Sequence, residues 1–128
     1  MRVRVGLENK FEGNRSIAWA LDYPGAFAYG NDGGEALVNL PRALIQHAGW
    51  ANRHAGAEWI ELGDFDVRLE ETWEAYNVPR GWNPAKGEVE INSWFRDDWR
   101  PLERVEAMRG LEMLRWSRSD LLQIVSEL

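Results

Sequence analysis

Closely spaced carboxylates are the residues of this chain that come nearest to a chemical site. Asp64 and Asp66 are separated by one residue, and Glu70 continues the acidic stretch. Side chains two positions apart share one face of a strand, so this pair has the arrangement of a hard-cation site or an acid–base pair. The stretch lacks the glycine and the terminal glutamate of a calcium-binding loop. We therefore interpret it as a solvated acidic edge that discourages strand aggregation and attracts a basic partner.

Other groups with catalytic potential lack the partners that catalysis needs. The two histidines, His47 and His54, are too few for a metal site, which needs three or four ligands. They would share a helix face only if the helix continued past Gly49, where the sequence predicts its end. The serines show no nucleophile-elbow context, and the glycines before the helix lack the lysine of a phosphate loop. We therefore predict no catalytic residue, no metal site, no cofactor and no enzymatic activity.

The chain has eight tryptophans, a large number for 128 residues. Large aromatic side chains dominate both protein cores and interface hot spots. Two interpretations fit the aromatic group in the second half of the chain, a pocket for a small ligand or packing between the sheet and the last helix. We favour packing for this group, which comprises Trp82, Trp94, Phe95 and Trp99. The predicted partner-binding residues are Asp64, Asp66, Glu70, Trp82, Trp94 and Trp99.

Composition narrows the protein class. The length fits one domain, or one small domain with an appendage. A formal charge of −6 repels a phosphate backbone, and the basic residues are scattered, so we disfavour nucleic-acid binding. The absence of cysteine excludes disulfide and thiolate chemistry and agrees with a reducing compartment. No apolar run approaches the roughly 18 residues of a spanning helix, and the first residues lack the apolar middle of a signal peptide. We therefore predict a cytoplasmic protein without a membrane segment.

Apolar alternation predicts three strands in the first thirty residues. Val3, Val5 and Leu7 recur at period two. Residues 12–14 supply the side chains of a tight turn, so the first two strands should form an antiparallel hairpin. The predicted strands span residues 3–11, 16–23 and 26–29.

A helix should follow these strands. Asp32 is the candidate N-cap, with Glu35 three residues later as in a capping box. Pro41 marks either a kink or a new helical start. We expect the helix to end near residues 49–52 and a loop to occupy residues 53–56. The predicted apolar face consists of Ala36, Leu37, Leu40, Leu44, Ile45 and Ala48.

The second half is less regular until its last helix. A fourth strand is predicted at residues 58–62, with a possible extension over 64–70, a loop at 78–87 and an alternating segment at 88–94. A long helix should span residues 101–128, because Pro101 suits a first turn and apolar residues recur at helical spacing. The apolar residues form one side of this helix, and their surface is too large to remain exposed on a lone helix. The predicted helix interface comprises Leu111, Leu114, Leu121 and Val125.

These elements define an α+β fold. We predict a mostly antiparallel sheet in the order β-β-β-α-β, with one packed helix and a long carboxy-terminal helix. The predicted domain boundary separates residues 1–93 from residues 94–128.

Residues 3–60 resemble a HicB-type antitoxin domain. The match rests on a Pro-Gly turn, a strand end and a helix start, and the residues that carry it are Tyr23, Pro24, Gly25, Gly30, Glu35, Ala36 and Leu37. The resemblance implies three antiparallel strands, one helix, a returning strand and recognition of a partner protein. HicB antitoxins usually add a carboxy-terminal DNA-binding element, and no such pattern occurs here.

A second resemblance begins at Trp94 and runs to Leu128. This stretch is similar to the entry and first helix of DinB-like four-helix bundles, many of which bind a divalent metal through histidines on later helices. The resemblance implies that the chain is an accessory domain for such a bundle, whose later helices this sequence does not contain.

Two functional hypotheses therefore stand together. The first is a non-catalytic module that recognises a protein partner or a second copy of itself, with a homodimer expected through the sheet edge or the last helix. The second is an accessory domain of a metal-dependent DinB-like enzyme.

Overall fold

The computed structural model describes residues 1–11 and 13–128 and has an α+β fold. The predicted turn at Glu12 lies outside the described residues. The strands and helices, in chain order, are β1 (Arg2–Phe11), β2 (Arg15–Ala20), β3 (Phe27–Gly30), α1 (Gly33–Ala55), β4 (Asp66–Glu74), β5 (Tyr76–Pro79), β6 (Glu88–Ile91) and α2 (Arg104–Ser126). Short 3-10 turns at Pro84–Lys86 and Arg96–Trp99 precede β6 and α2.

The main sheet has the strand order β3-β2-β1-β4. β1, β2 and β3 pair antiparallel, whereas β4 runs parallel to β1. A parallel neighbour requires a long crossover, and α1 with the segment after it supplies one. β5 and β6 form a separate antiparallel hairpin. The predicted mostly antiparallel α+β fold is confirmed, with a returning strand that lies parallel to the first.

The core lies between α1 and one face of this sheet. Val3 and Val5 of β1 are fully buried against Leu40 and Leu44 of α1. Alanines on β2 and β3 keep that face flat, which lets the helix approach closely. The apolar spacing of α1 therefore positions the helix as the sequence predicted, with Ala36, Leu40, Leu44, Ala48 and Ala51 buried. Ile45 is the exception, because it lies on the solvent side and is 60% exposed.

The predicted end of α1 was wrong. The helix passes through Pro41 and Gly49 and reaches Ala55. Gly56 ends it, because that glycine adopts the left-handed conformation (φ 63°) that closes many helices.

The predicted strand at residues 58–62 was also wrong. The Asn52 side chain occupies the place of a neighbouring strand for Ile60. Asn52 Nδ2 donates to Ile60 O at 3.0 Å, and Ile60 N donates to Asn52 Oδ1 at 2.9 Å. Because α1 satisfies this backbone, the returning strand forms later, at Asp66–Glu74.

The second face of the sheet is covered by residues 92–100, here called the covering segment. Phe95 is only 4% exposed and lies directly over Gly6, where an added Cβ would come within 2.8 Å of the aromatic ring. Glu8 is buried beside it and accepts hydrogen bonds from Asn92 Nδ2 at 2.9 Å and Ser93 Oγ at 2.7 Å. Both sides of the predicted boundary at residue 93 thus contact β1.

The last helix is shorter than predicted and begins three residues after Pro101. Glu103 N donates to Glu106 Oε2 at 2.8 Å, which satisfies one free amide at the start of α2. No residue of α2 is buried. Within the described ranges, neither helix combines the length and apolarity needed to cross a bilayer.

Candidate recognition surfaces and an aromatic cleft

The residues of the Pro-Gly motif hold β2, β3 and α1 together. Ala20 N donates to Ala26 O at 3.0 Å, which closes the loop that contains Pro24 and Gly25. Tyr23 packs against the core, and burial, followed by the nearby Asp22 charge, raises the pKa of its phenol. These residues therefore act in the architecture of the fold.

The start of α1 presses against the end of β3. An added Cβ at Gly30 would lie 2.3 Å from the backbone nitrogen of Ala36. Asp32 Oδ1 accepts from Glu35 N at 2.8 Å, as expected of an N-cap. Ala36 is fully buried and Leu37 packs against the same core, so the predicted inward orientation of both is confirmed.

The structure brings some of the predicted partner-binding residues together and separates others. Glu70 and Asp97 both contact the Arg4 guanidinium, at 3.8 and 3.1 Å, so the covering segment lies beside β4. The rings of Trp94 and Trp99 of this segment lie against each other at an angle of 56°, with centroids 5.4 Å apart, and both residues are exposed.

The remaining members of that set lie elsewhere. Asp64 precedes β4, and its carbonyl oxygen accepts from the amino terminus at 3.3 Å. Asp66 is the first residue of β4, so the expected pair of carboxylates on one strand face is not formed. Trp82 is fully exposed in the β5–β6 hairpin. The aromatic group does not pack as one cluster, because only Phe95 is buried.

Arg4 joins the amino-terminal strand to the covering segment. Its Nη2 donates to Asp22 Oδ1 at 2.6 Å and to Asp97 Oδ1 at 3.1 Å. These bonds, with that to Asp22 the stronger, raise the pKa of Arg4 above its ordinary value. One guanidinium thus contacts three carboxylates, those of Asp22, Glu70 and Asp97.

An aromatic cluster attaches α2 to α1. Trp116 stacks on His54 with ring centroids 5.2 Å apart, meets the edge of Trp50 at 6.1 Å and lies 4.9 Å from Trp59. Asp120, one helical turn further, accepts from Trp50 Nε1 at 2.8 Å and lies 2.9 Å from His54 Nε2. The bond from Trp50, followed by that from His54, lowers the pKa of Asp120.

The histidines do share one face of α1, because the helix continues through the predicted break. Both rings contact Trp50, which lies between them. Burial lowers the pKa of His47 below its ordinary value. Within the described residues, no three histidine, aspartate or glutamate side chains are grouped so as to hold a metal ion.

The side of α2 that faces away from the body carries large apolar residues. At 3.6 residues per turn, they fall on one arc opposite Trp116. We call this arc the outward face; its apolar members are Leu111, Leu114, Leu121, Leu122 and Val125, each at least 54% exposed. Arg118 lies at its centre, and no carboxylate of α2 falls within it. All four residues of the predicted helix interface belong to this face.

A large cleft lies between α2 and the rest of the protein, and Leu114 of the outward face also lines it. Its volume is about 1170 Å³, and its lining is mostly apolar. We call it the aromatic cleft; its principal walls are Trp19, Tyr23, Trp50, Trp59, Phe95 and Met113. The sequence did not indicate this cleft, because its walls come from four distant segments.

Comparison with protein-family models, curated proteins and solved structures finds no match to this chain. The outward face and the aromatic cleft are therefore the features of this structure that bear on function.

Proposed function

We propose that this protein is a non-catalytic, cytoplasmic recognition module that binds another protein through the outward face of α2. The single observation behind the proposal is a 23-residue helix whose apolar arc has no covering chain among the described residues. Contiguous apolar surface of this extent marks interaction sites on soluble proteins. The HicB-type resemblance of the first half, where partner recognition is the expected role, supports the same proposal.

The charge at the centre of the outward face favours a particular partner. Arg118 forms no ion pair within the described part of the chain, and it stands among leucines. A guanidinium that becomes covered at an interface needs an opposing carboxylate, because an unpaired buried charge is costly. The fitting partner is a polypeptide with an apolar row and a central aspartate or glutamate.

A second copy of the chain fits this face less well. In a two-fold antiparallel helix pair centred on Arg118, the two guanidiniums would face each other. Like charges at the centre of an interface oppose association. The expected homodimer is therefore the competing outcome, and a different protein chain is the proposed occupant.

An accessory role beside a DinB-like bundle is the second candidate, and the same face favours it. The first helix of a four-helix bundle needs an apolar face for its neighbours. A reading frame that continues into histidine-bearing helices would favour this candidate, whereas a separate neighbouring frame for a small toxin-like protein would favour recognition of a separate partner.

Light scattering and a peptide titration test the proposal. We expect a solution mass near the 14.8 kDa of one chain. The probe is a synthetic amphipathic helix with leucines on one face and a single central glutamate, and its control carries lysine at that position. We expect the glutamate peptide to bind about tenfold more tightly than the lysine peptide, which corresponds to one charge-assisted pair.

Two variants make the test specific. Arg118→Glu should reverse the preference between the peptides, and Leu121→Ser should weaken both. A stable dimer that Leu121→Ser dissociates would assign the face to a second copy and overturn the partner assignment. Equal binding of the two peptides, or binding of neither, would also contradict the proposal.

A further inference from the structure

The aromatic cleft adjoins the outward face, with which it shares Leu114, and is large enough for a small molecule. Ligand pockets typically measure roughly 300–1,000 Å³ and combine apolar walls with a few polar groups. The cleft reaches about 1170 Å³ and has that composition. It is formed by the Pro-Gly loop, α1, the covering segment and α2.

The walls of the cleft suit a positive charge. Aromatic faces carry a negative quadrupole that attracts cations within about 6 Å. One such contact already exists, because the Arg109 guanidinium lies over the Trp59 ring with its carbon 4.9 Å from the ring centroid. Both residues line the cleft. The Trp59 ring in the wall of the cleft thus already forms a cation–π contact with Arg109 of the same chain.

Carboxylates outnumber cations around the cleft. Its described lining has four carboxylates and two guanidiniums, and the guanidiniums are engaged, with Arg100 bound to Glu106 at 2.9 Å and Arg109 stacked on Trp59. The carboxylates are Asp22, Asp97, Asp98 and Glu106. Asp22 and Asp97 share the Arg4 guanidinium, and Arg100 Nε also lies 3.9 Å from Asp97 Oδ1.

Asp98 is the carboxylate of the cleft whose negative charge is least compensated. Its Oδ2 accepts from Phe95 N at 2.8 Å, and it forms no ion pair within the described residues. His47 adds no compensating charge at neutral pH, because burial holds its pKa below the ordinary value. An anionic ligand is therefore disfavoured electrostatically, and a cation is favoured.

A glycine in the middle of α2 borders open space in the cleft. Gly110 lines the cleft, and no atom lies within 4 Å of the position that its Cβ would take. Glycine weakens a helix interior, and packing does not require it here. The space in front of Gly110 is thus available to a ligand.

We propose that the aromatic cleft binds a hydrophobic organic cation, such as a quaternary ammonium compound with an aromatic or alkyl body. The apolar body would pack against the tryptophans, and the charge would lie near the aromatic faces and Asp98. Apart from Leu114, the described lining of this site is distinct from the outward face.

Titration with three matched probes tests the proposal. The probes are benzyltrimethylammonium, its neutral isostere neopentylbenzene and the anion phenylmethanesulfonate. Binding to the full chain would be followed by calorimetry and by the indole N–H resonances of Trp50 and Trp59. We expect the cation to bind at least tenfold more tightly than the neutral isostere and to shift both resonances, with no binding of the anion.

Variants locate the site. Asp98→Asn keeps an oxygen for Phe95 N but removes the charge, so it should weaken the cation several-fold and leave the neutral probe unchanged. Gly110→Phe should occupy the space in front of Gly110 and weaken binding at least tenfold, whereas Gly110→Ala should leave the affinity within twofold. Glu88→Gln, on β6, is a remote charge control that should have no effect, as should Leu121→Ser on the outward face.

Several results would overturn the assignment. These are equal affinity for the cation and the neutral isostere, tighter binding of the anion, resonance shifts outside the cleft, and unchanged cation binding in Gly110→Phe. Failure here would leave the peptide preference of the outward face intact, so the two proposals are separately testable.

Discussion

Single residues decide how closely the elements of this fold approach one another. Asp32 could be recognised from the sequence as the start of α1, because an N-cap is a local pattern. Glu8 could not be interpreted in the same way, because the donors to this buried carboxylate are Asn92 and Ser93, more than eighty residues away. Local chemistry was predictable, and long-range satisfaction of polar groups was not.

Gly30 gives the sharpest prediction at the residue scale. An alanine there would place its Cβ 2.3 Å from Ala36 N and 2.8 Å from Asp32 O, and backbone atoms cannot move aside as a flexible side chain can. We expect Gly30→Ala to lower the free energy of unfolding by at least about 2 kcal/mol, as overpacking in a rigid site does. Urea denaturation followed by circular dichroism measures this change.

Gly110→Ala is the matched control. It introduces the same methyl group into a helix where the Cβ position is open. It should raise helix stability by about 0.5–1 kcal/mol. Equal effects of the two substitutions would contradict the close-approach explanation for Gly30.

At the scale of elements, contacts with neighbouring elements explain why two segments differ from their predicted secondary structure. Residues 58–62 have strand-like alternation, but Asn52 of α1 pairs with Ile60 in place of a strand. Gly49 looked like a helix end, yet α1 continues past it to position Trp50 and His54 against α2. Both errors arise because tertiary contacts override local propensity.

The attachment of α2 should depend on pH. Hydrogen bonds from Trp50 and His54 lower the pKa of Asp120 from its ordinary value of 3.8. A depressed carboxyl pKa stabilises the attached state above that ordinary value, and the contribution is lost as pH falls through the lower pKa of the attached state. We expect α2 amides to exchange faster at pH 3 than at pH 7, after correction for intrinsic rates, with little change in β1.

Asp120→Asn provides the diagnostic variant. Its amide oxygen still accepts from Trp50, but the titrating charge is gone. Protection of α2 at pH 7 should fall, and the further loss at pH 3 should shrink. Glu58→Gln is the control, because it removes an exposed carboxylate that follows the end of α1. This variant should retain the pH dependence of the parent protein. An unchanged profile in Asp120→Asn would show that other carboxylates control the attachment.

At the scale of the whole molecule, the covering segment is the link between the predicted domains. The predicted boundary at residue 93 follows the resemblance that begins at Trp94, but Ser93 and Phe95 both contact β1. The body therefore extends structurally to the covering segment, and α2 is joined to it mainly by the tryptophan cluster around Trp116.

Two truncations test which residues belong to the body. A chain ending at Arg100 keeps Phe95 over Gly6 and the donors to Glu8, so it should unfold cooperatively with a melting temperature near that of the full chain. A chain ending at Ser93 loses a buried phenylalanine, and removal of such a ring costs roughly 3–5 kcal/mol. That loss approaches the whole stability of a small domain. The shorter fragment should therefore lack a cooperative transition, whereas equal melting of the two fragments would support the predicted boundary at residue 93.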